Sequence, residues 1–269
     1  MSYFNEAQIE KIVEIAFEAG EIAVRAQNSG DFKVMTKPDN SKVTSADIEV
    51  SKFIHQKLTN NFPEIEVVCE EGNLREVNDI FWLVDPIDGT SSFIQGSSEF
   101  ALNIALIKDK KVVFGLIYAP LFENGKIAFS DSNNNLVLQD RHKKTYTSFF
   151  DHSESKKILK IITSARTKDC DIEKYLNQFY PDYINNFAVE RLSSAVKFFR
   201  IIEGKADLYL HFRPSMEWDI ASGQFLVELM GGKVKKLSFN ENGFEIGEEM
   251  LYKKIDFINK SFVSFIGDF

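Results

Sequence analysis

The sequence predicts a layered α/β protein in which helices pack against β-sheets. Stretches with apolar residues at helical spacing alternate along the chain with short runs rich in β-branched and aromatic residues. No internal repeat or low-complexity tract interrupts this alternation. Helices and sheets each bury one face against the other, so they form layers around a common core. A chain of 269 residues with 44% hydrophobic content is long enough to bury such a core.

Two amphipathic helices are predicted near the N-terminus. Residues 5–28 repeat apolar side chains at helical spacing, and Gly30 lies just beyond the end of this pattern. After a polar stretch, residues 31–42, Thr44 is a candidate N-cap for a second helix. Asp47 is therefore expected in a first helical turn.

Short β-rich runs predict the strands, and the first two of them end in carboxylates. The predicted strands cover residues 66–69, 80–84, 101–107, 112–119, 158–163 and 206–212. Glu70 and Glu71 follow the first strand directly, and Asp85 follows the second. Two strand ends are thus expected to supply acidic side chains.

Three further helices are predicted in the second half of the chain, near residues 171–179, 194–203 and 220–230. The last one stops at Gly231 and Gly232, which suits a glycine C-cap.

Residues 131–156 are rich in Asn, Asp, Ser and Lys and predict loops around one short strand. We place there a soft division of a single catalytic unit into an N-terminal α/β half, residues 1–155, which carries the metal site, and a C-terminal α/β half, residues 156–269, which binds substrate.

Composition and charge exclude several classes of function. The net charge of −8 argues against a surface for DNA or RNA, because nucleic-acid affinity depends on Lys and Arg that neutralise phosphates. The N-terminus does not resemble a signal peptide, and no apolar run approaches the roughly 20 residues of a membrane span, so we expect a cytoplasmic protein without membrane contact. Cys69 and Cys170 are expected to stay reduced.

The segment D-P-I-D-G-T, residues 85–90, is the most informative part of the sequence. It follows a buried-looking strand, and its proline and glycine allow a tight turn through which Asp85 and Asp88 converge on one point. Mg²⁺ prefers oxygen ligands, which these carboxylates and the Ile87 carbonyl supply. An ordinary turn is the alternative interpretation of the same residues.

The residues after this turn are candidates for holding a phosphate. Thr90 is expected to open a short helix, whose N–H groups, with those of Gly89 and Ser91, are free to bind an anion.

Asp219 precedes the last helix and is on its own a candidate N-cap. The accumulation of acids at the ends of elements favours a metal site over ion pairs, because Arg75 is the only basic residue between positions 67 and 96. The acids in question are Glu70, Glu71, Asp85, Asp88 and Asp219.

Two motifs in this order resemble those of the inositol monophosphatase superfamily. D-P-x-D-G-T-x-x-F matches residues 85–93, and W-D followed by G-G matches Trp218-Asp219 and Gly231-Gly232. The resemblance covers nearly the whole chain. It implies a sandwich of alternating helix and sheet layers (αβαβα), like that of fructose-1,6-bisphosphatase, and a magnesium-dependent phosphatase.

The resemblance also assigns roles to individual residues. Glu70, Asp85 and the Ile87 carbonyl would bind one Mg²⁺, and Asp85, Asp88 and Asp219 a second, with a third, weaker ion also at Glu70. Asp47 and Thr90 match the pair that orients the attacking water, and Glu71 follows the metal-binding Glu as in the relatives. Lithium sensitivity and a homodimer are implied by the resemblance only.

Several stretches look closer to the CysQ-type 3′(2′),5′-bisphosphate nucleotidases, which hydrolyse adenosine 3′,5′-bisphosphate to AMP and phosphate. In that branch the matching serines and lysine lie beside the nucleotide and its non-scissile phosphate, so by this resemblance Ser193, Ser194 and Lys197 would bind substrate. Lys197 is alternatively a surface lysine of a helix. The chain departs from the branch at Ser91 and Ser92, at Ser164 to Thr167, and at His211, where the branch has Arg. Ser164 and Arg166 remain candidate substrate residues, the latter through its planar fork.

Two alternatives to a bisphosphate nucleotidase remain. One is an inositol monophosphatase or a broader-range sugar phosphatase of the same superfamily. The other is a non-catalytic regulator that binds metal or nucleotide on the same fold.

Overall fold

A computed structural model describes residues 2–72, 77–142, 145 and 158–267. Arg75 and the position of the proposed division, between residues 155 and 156, lie outside the described residues. No helix in the described part of the chain is long and apolar enough to cross a membrane.

Six α-helices and sixteen strands are found in the described residues. The helices are α1 (Glu6–Ser29), α2 (Ser45–Asn61), α3 (Thr90–Ile94), α4 (Asp169–Phe179), α5 (Val196–Ile202) and α6 (Glu217–Leu229). The strands are β1 (Val34–Thr36), β2 (Lys42–Thr44), β3 (Glu66–Cys69), β4 (Ile80–Asp88), β5 (Ala101–Lys108), β6 (Lys111–Ala119), β7 (Lys126–Ser130), β8 (Leu136–Asp140), β9 (Leu159–Thr163), β10 (Phe187–Arg191), β11 (Leu208–His211), β12 (Ser215–Met216), β13 (Gly232–Asn240), β14 (Gly243–Glu249), β15 (Ile258–Asn259) and β16 (Phe262–Ile266).

Two six-stranded sheets form the framework. The first has the order β3-β4-β5-β6-β7-β8, in which only β3 and β4 are parallel neighbours. The second has the order β10-β9-β11-β16-β13-β14, in which β10, β9 and β11 run parallel. Parallel neighbours end at the same edge of a sheet, so each sheet brings the loops that follow its parallel strands together.

The helices lie in three layers around these sheets, which confirms the predicted αβαβα sandwich. One face of the first sheet packs against α1 and α2, through side chains such as Ile12, Val50 and Trp82. Its other face and the second sheet enclose α5 and α6, with Phe198 and Trp218 in the shared core. The outer face of the second sheet packs against α4.

Local signals located both N-terminal helices correctly. Asn5 and Thr44 cap α1 and α2 through side-chain hydrogen bonds, and Gly30 ends α1 with a φ of 68°. The start of α6 was placed three residues too late, since the helix already begins at Glu217.

The polar stretch between α1 and α2 contains a structure that the sequence did not indicate. Strands β1 and β2 pair there as a small antiparallel hairpin, and all three residues of β1 are exposed. An exposed three-residue strand has no apolar alternation to mark it.

Candidate functional site

Asp85, Asp88 and Asp219 form a compact carboxylate cluster. Asp85 pairs with Asn103 of β5 and Asp88 pairs with Ala101, so three residues of β4 span two of β5 and the pairing has a bulge between the two aspartates. Asp219 is the third residue of α6, and its Oδ2 accepts a 2.8 Å hydrogen bond from the Met216 N–H. One carboxylate oxygen from each of the three residues lies within 4.8 Å of the others. Asp219 is therefore not the N-cap residue itself, and its second oxygen remains available.

The cluster concentrates negative charge where water is scarce. Burial raises the pKa of Asp85 and of Asp219 well above the usual range, and each is raised further by neighbouring carboxylates. The pKa of Asp88 is also raised by burial, although the Lys197 ammonium opposes this. Three neighbouring oxygen donors, one on the buried Asp85 and two on half-buried residues, have no full set of cationic partners among the described residues and fit a hard divalent cation such as Mg²⁺.

Gly89 connects the cluster to α3 and must be glycine for two reasons. Its φ is +91°, and a Cβ at this position would lie 2.9 Å from both the Glu99 carbonyl oxygen and the Ser194 Cβ. This close approach lets the Ala195 N–H donate a hydrogen bond to Asp88 Oδ2. The loop before α5 is thus held against the turn that carries Asp85 and Asp88.

The predicted pair Asp47 and Thr90 is in direct contact. Thr90 Oγ1 donates to Asp47 Oδ1 over 3.1 Å, while Asp47 Oδ2 accepts from both the N–H and the hydroxyl of Thr44. Burial raises the pKa of Asp47, and the hydrogen bonds from Thr44 and Thr90 act against this rise. The capping box of α2 therefore fixes the position of the carboxylate that accepts the hydrogen bond from Thr90.

Glu70 and Glu71 share a cation that the sequence analysis overlooked. Lys37 Nζ, from the β1–β2 hairpin, lies 2.8 Å from Glu70 Oε1 and 2.7 Å from Glu71 Oε1. The expectation that these acids lack a basic partner is therefore wrong, because the partner comes from more than thirty residues away. Glu70 lies outside the 4.8 Å group of the three aspartates, and its role as a metal ligand stays a prediction.

A cavity of about 530 Å³ opens above the cluster, which is a size typical of small-ligand sites. Most of the predicted site residues line it: Glu70, Asp85, Ile87, Asp88, Gly89, Thr90, Ser91, Ser164, Arg166, Ser193, Ser194, Lys197 and Asp219. Asp47 is buried behind Thr90, and Glu71 faces a separate neighbouring cavity with Cys69.

Lys197 is a residue of the cavity and not of the outer surface. Its side chain is buried, its Nζ donates to the Ser194 carbonyl, and it lies 5.6 Å from the centre of the Tyr209 ring. Burial lowers the pKa of Lys197 to about 8, although Asp88, Asp219 and Glu99 favour its charged form. The interpretation as a solvated helix lysine is wrong.

The predicted serines are positioned by the same loop. Glu99 Oε2 accepts a 2.8 Å hydrogen bond from the Ser193 N–H, and Ser194 adopts a left-handed φ of 49°. A polar residue held in this region of φ/ψ space is a feature of functional loops.

Tyr209 and Arg213 line the cavity and had not been identified as site residues, whereas His211, which also lines it, was named as a departure from the CysQ branch. The alternation of side chains along β11, which puts positions 209 and 211 on one face, is the signal that predicts Tyr209. Arg213 follows the end of the strand. Lys37 had no such signal, since its pairing depends on the path of the hairpin.

Comparisons with known proteins agree with these observations. The model of the inositol monophosphatase family matches residues 5–261. A 3′(2′),5′-bisphosphate nucleotidase CysQ from Buchnera aphidicola is 29% identical over 260 residues, which cover 94% of this chain and 92% of the relative. A protein of the same name from Salmonella typhimurium is 30% identical over 237 residues, 84% of this chain and 89% of the relative.

Solved structures share the fold. CysQ from Bacteroides thetaiotaomicron superposes with a TM-score of 0.74 at 23% identity and covers 99% of both chains. An inositol monophosphatase from Thermotoga maritima superposes with a TM-score of 0.73 at 20% identity, covering 96% of this chain and 92% of that one.

Proposed function

The chain belongs to the inositol monophosphatase family, and on that premise we propose that it is a magnesium-dependent 3′(2′),5′-bisphosphate nucleotidase. The reaction would be hydrolysis of adenosine 3′,5′-bisphosphate to AMP and phosphate. Full-length similarity to CysQ proteins supports this substrate class. The observation that carries the proposal is the cluster of Asp85, Asp88 and Asp219 at the floor of a substrate-sized cavity.

Asp85, Asp88 and Asp219 would hold Mg²⁺, with Glu70 and the Ile87 carbonyl as further oxygen donors. When bound, magnesium would neutralise the negative charge of the phosphate and lower the pKa of the attacking water. A second and a third ion remain part of the proposal, on the strength of the family resemblance.

Thr90 and Asp47 are suited to hold the attacking water. Because Thr90 Oγ1 donates its proton to Asp47 Oδ1, the lone pairs of this hydroxyl can accept a hydrogen bond from water. Asp47 can take up a proton that passes through Thr90, since burial raises its pKa. The geometry therefore offers a general base that acts through a hydroxyl.

The start of α3 is suited to bind the scissile phosphate, and Lys197 lines the same cavity. The N–H groups of Ser92 and Phe93 donate to the Gly89 carbonyl, so those of Thr90 and Ser91, directly after the turn that carries Asp85 and Asp88, are the ones that can bind an anion. With a pKa of about 8, Lys197 is mostly charged at neutral pH and adds a positive charge to the same cavity.

A phosphatase for inositol phosphates or other sugar phosphates is the second candidate, because the same fold occurs in inositol monophosphatases. The discriminating measurement is kcat/KM for adenosine 3′,5′-bisphosphate and for inositol 1-phosphate at saturating Mg²⁺. The proposal predicts a preference for the adenosine compound. A preference for inositol 1-phosphate would contradict it.

A regulator without catalysis would require a missing ligand or a missing water-binding residue. Asp47, Thr90 and the three aspartates are all present and in contact range, so we do not favour this function. Absence of Mg²⁺-dependent phosphate release from a panel of phosphate monoesters would favour it. Cytoplasmic location, lithium sensitivity and a homodimer stay predictions.

A further inference from the structure

Two arginines meet at the mouth of the cavity. Arg166 follows β9 and Arg213 follows β11, which are parallel neighbours and therefore end at the same sheet edge. Arg213 Nη2 lies 3.3 Å from the carbonyl oxygen of Arg166 and donates a hydrogen bond to it. Both side chains line the cavity and are exposed to solvent.

Neither arginine is paired with a carboxylate in the part of the chain that the structure describes. Other arginines of the second half are paired: Arg191 binds Asp169, and Arg200 binds Glu123 and Glu190. In a protein of net charge −8, two cavity-lining arginines that have no acidic partner among the described residues are unusual. Guanidinium groups bind phosphate through parallel N–H donors, so this pair suits a phosphate.

The order of side chains along β11 separates this pair from the carboxylate cluster. The Tyr209 ring is next to the Lys197 ammonium. The pKa of Tyr209 is raised by burial and then by Asp88 and Asp219. His211 stacks on Phe262 with ring centres 5.0 Å apart. β11 ends at His211 and Arg213 follows two residues later, and Arg213 is one of the charges that lower the pKa of His211, so the chain leads from Tyr209 at the aspartates through His211 to Arg213.

His211 does not itself supply positive charge. Its pKa is lowered to about 3 by burial and then by Lys197 and Arg213, and its Nδ1 is buried without a hydrogen-bond partner. A neutral imidazole at this point can contact an uncharged part of a ligand. The next positive charge on this face of the cavity is that of Arg213.

We propose that Arg213, together with Arg166, binds the second, non-scissile phosphate of the substrate. This assignment rests on the proposed function, because it requires a substrate with a phosphate at each end. Arg213 then determines specificity for bisphosphates over monophosphates, at a position two residues beyond His211.

The test compares adenosine 3′,5′-bisphosphate with adenosine 3′-monophosphate, which lacks the second phosphate. In Arg213→Gln, the ratio of the two kcat/KM values should fall by about tenfold or more, since a charge-assisted phosphate contact is lost. Arg213→Lys should recover part of the ratio, because a positive charge returns without the planar fork. The control Arg25→Gln changes an exposed arginine of α1 outside the cavity and should leave both values unchanged.

A binding measurement separates this proposal from the proposed function. Calorimetry compares wild type and Arg213→Gln for AMP, which carries only the non-scissile phosphate, and for adenosine, which carries none. The proposal predicts that the variant binds AMP about tenfold or more weakly and that adenosine binding changes little. An unchanged AMP affinity, or an equal loss for both ligands, would overturn it whether or not the enzyme hydrolyses the bisphosphate.

Discussion

The hydroxyl of Thr90 lies 3.1 Å from Asp47 Oδ1, which joins the first residue of α3 to the first turn of α2. Forty-three residues separate the two side chains in sequence. Their contact depends on the packing of α2 against β4, and it places a buried carboxylate behind a hydroxyl that lines the cavity.

Thr90→Val should reduce kcat for phosphate release by about 10²-fold or more, because the hydroxyl that accepts a hydrogen bond from water is lost. The variant should still be stabilised by Mg²⁺, which is measured as the shift in Tm on adding the metal. Thr59→Val, an exposed position on α2, is the matched control. A kcat close to that of wild type would contradict the assigned role.

Lys37→Met should make the thermal stability of the protein more dependent on Mg²⁺. Burial raises the pKa of both Glu70 and Glu71, and Lys37 is the cation that binds these two carboxylates. Without it, the metal-free protein should have a lower Tm, and added Mg²⁺ should raise Tm by more than in wild type. Lys33→Met, at an exposed site before the hairpin, should behave like wild type. An unchanged Mg²⁺ effect in Lys37→Met would refute this prediction.

Lys126→Ala should lower the free energy of unfolding by about 3 to 5 kcal/mol. Lys126 is fully buried on β7 and binds Glu203, itself buried at the end of α5. The variant removes the buried partner of this acid and leaves it Arg200 at 3.6 Å and the exposed Lys205 at 3.2 Å. The double variant Lys126→Met with Glu203→Leu should recover part of this loss, because apolar side chains need no counter-charge. Urea unfolding measures each value, and a double variant less stable than Lys126→Ala would contradict the explanation.

Cys69 should resist alkylation in the folded protein. Burial raises the pKa of this thiol to about 12, so almost no thiolate forms near pH 8. The thiolate fraction rises about tenfold per pH unit until the pH reaches the pKa. Cys170 is exposed and serves as the internal control. A thiol titration at pH 8 should count one fast group, and a second only after unfolding. Equal rates for both thiols would show that Cys69 is accessible.

The parts of the fold with local signals were predictable from the sequence. Asn5 and Thr44 are side-chain caps that act within three residues, and the period of apolar residues located α1 and α2. The aspartates Asp85 and Asp88 of the carboxylate cluster were located for the same reason, since they follow a buried run of apolar residues in β4.

Features that depend on distant segments were not predictable. Lys37 reaches Glu70 only because the β1–β2 hairpin folds over the end of β3, and no local pattern marks that contact. Strand β10 was missed because its residues are half-buried or exposed and lack a clear apolar period. Arg213 lies in the stretch that resembles the CysQ branch. Its contact with Arg166 depends on the loop after β9, which is distant in sequence.

The most direct test is Mg²⁺-dependent release of phosphate from adenosine 3′,5′-bisphosphate by wild type and by Asp219→Asn. An asparagine can keep the hydrogen bond from Met216, so the variant should remain folded, as judged by its Tm without metal. We predict turnover by wild type and a loss of at least about a hundredfold in the variant at saturating Mg²⁺. Near-normal turnover in a folded Asp219→Asn protein would contradict the assignment of the three aspartates as the metal centre.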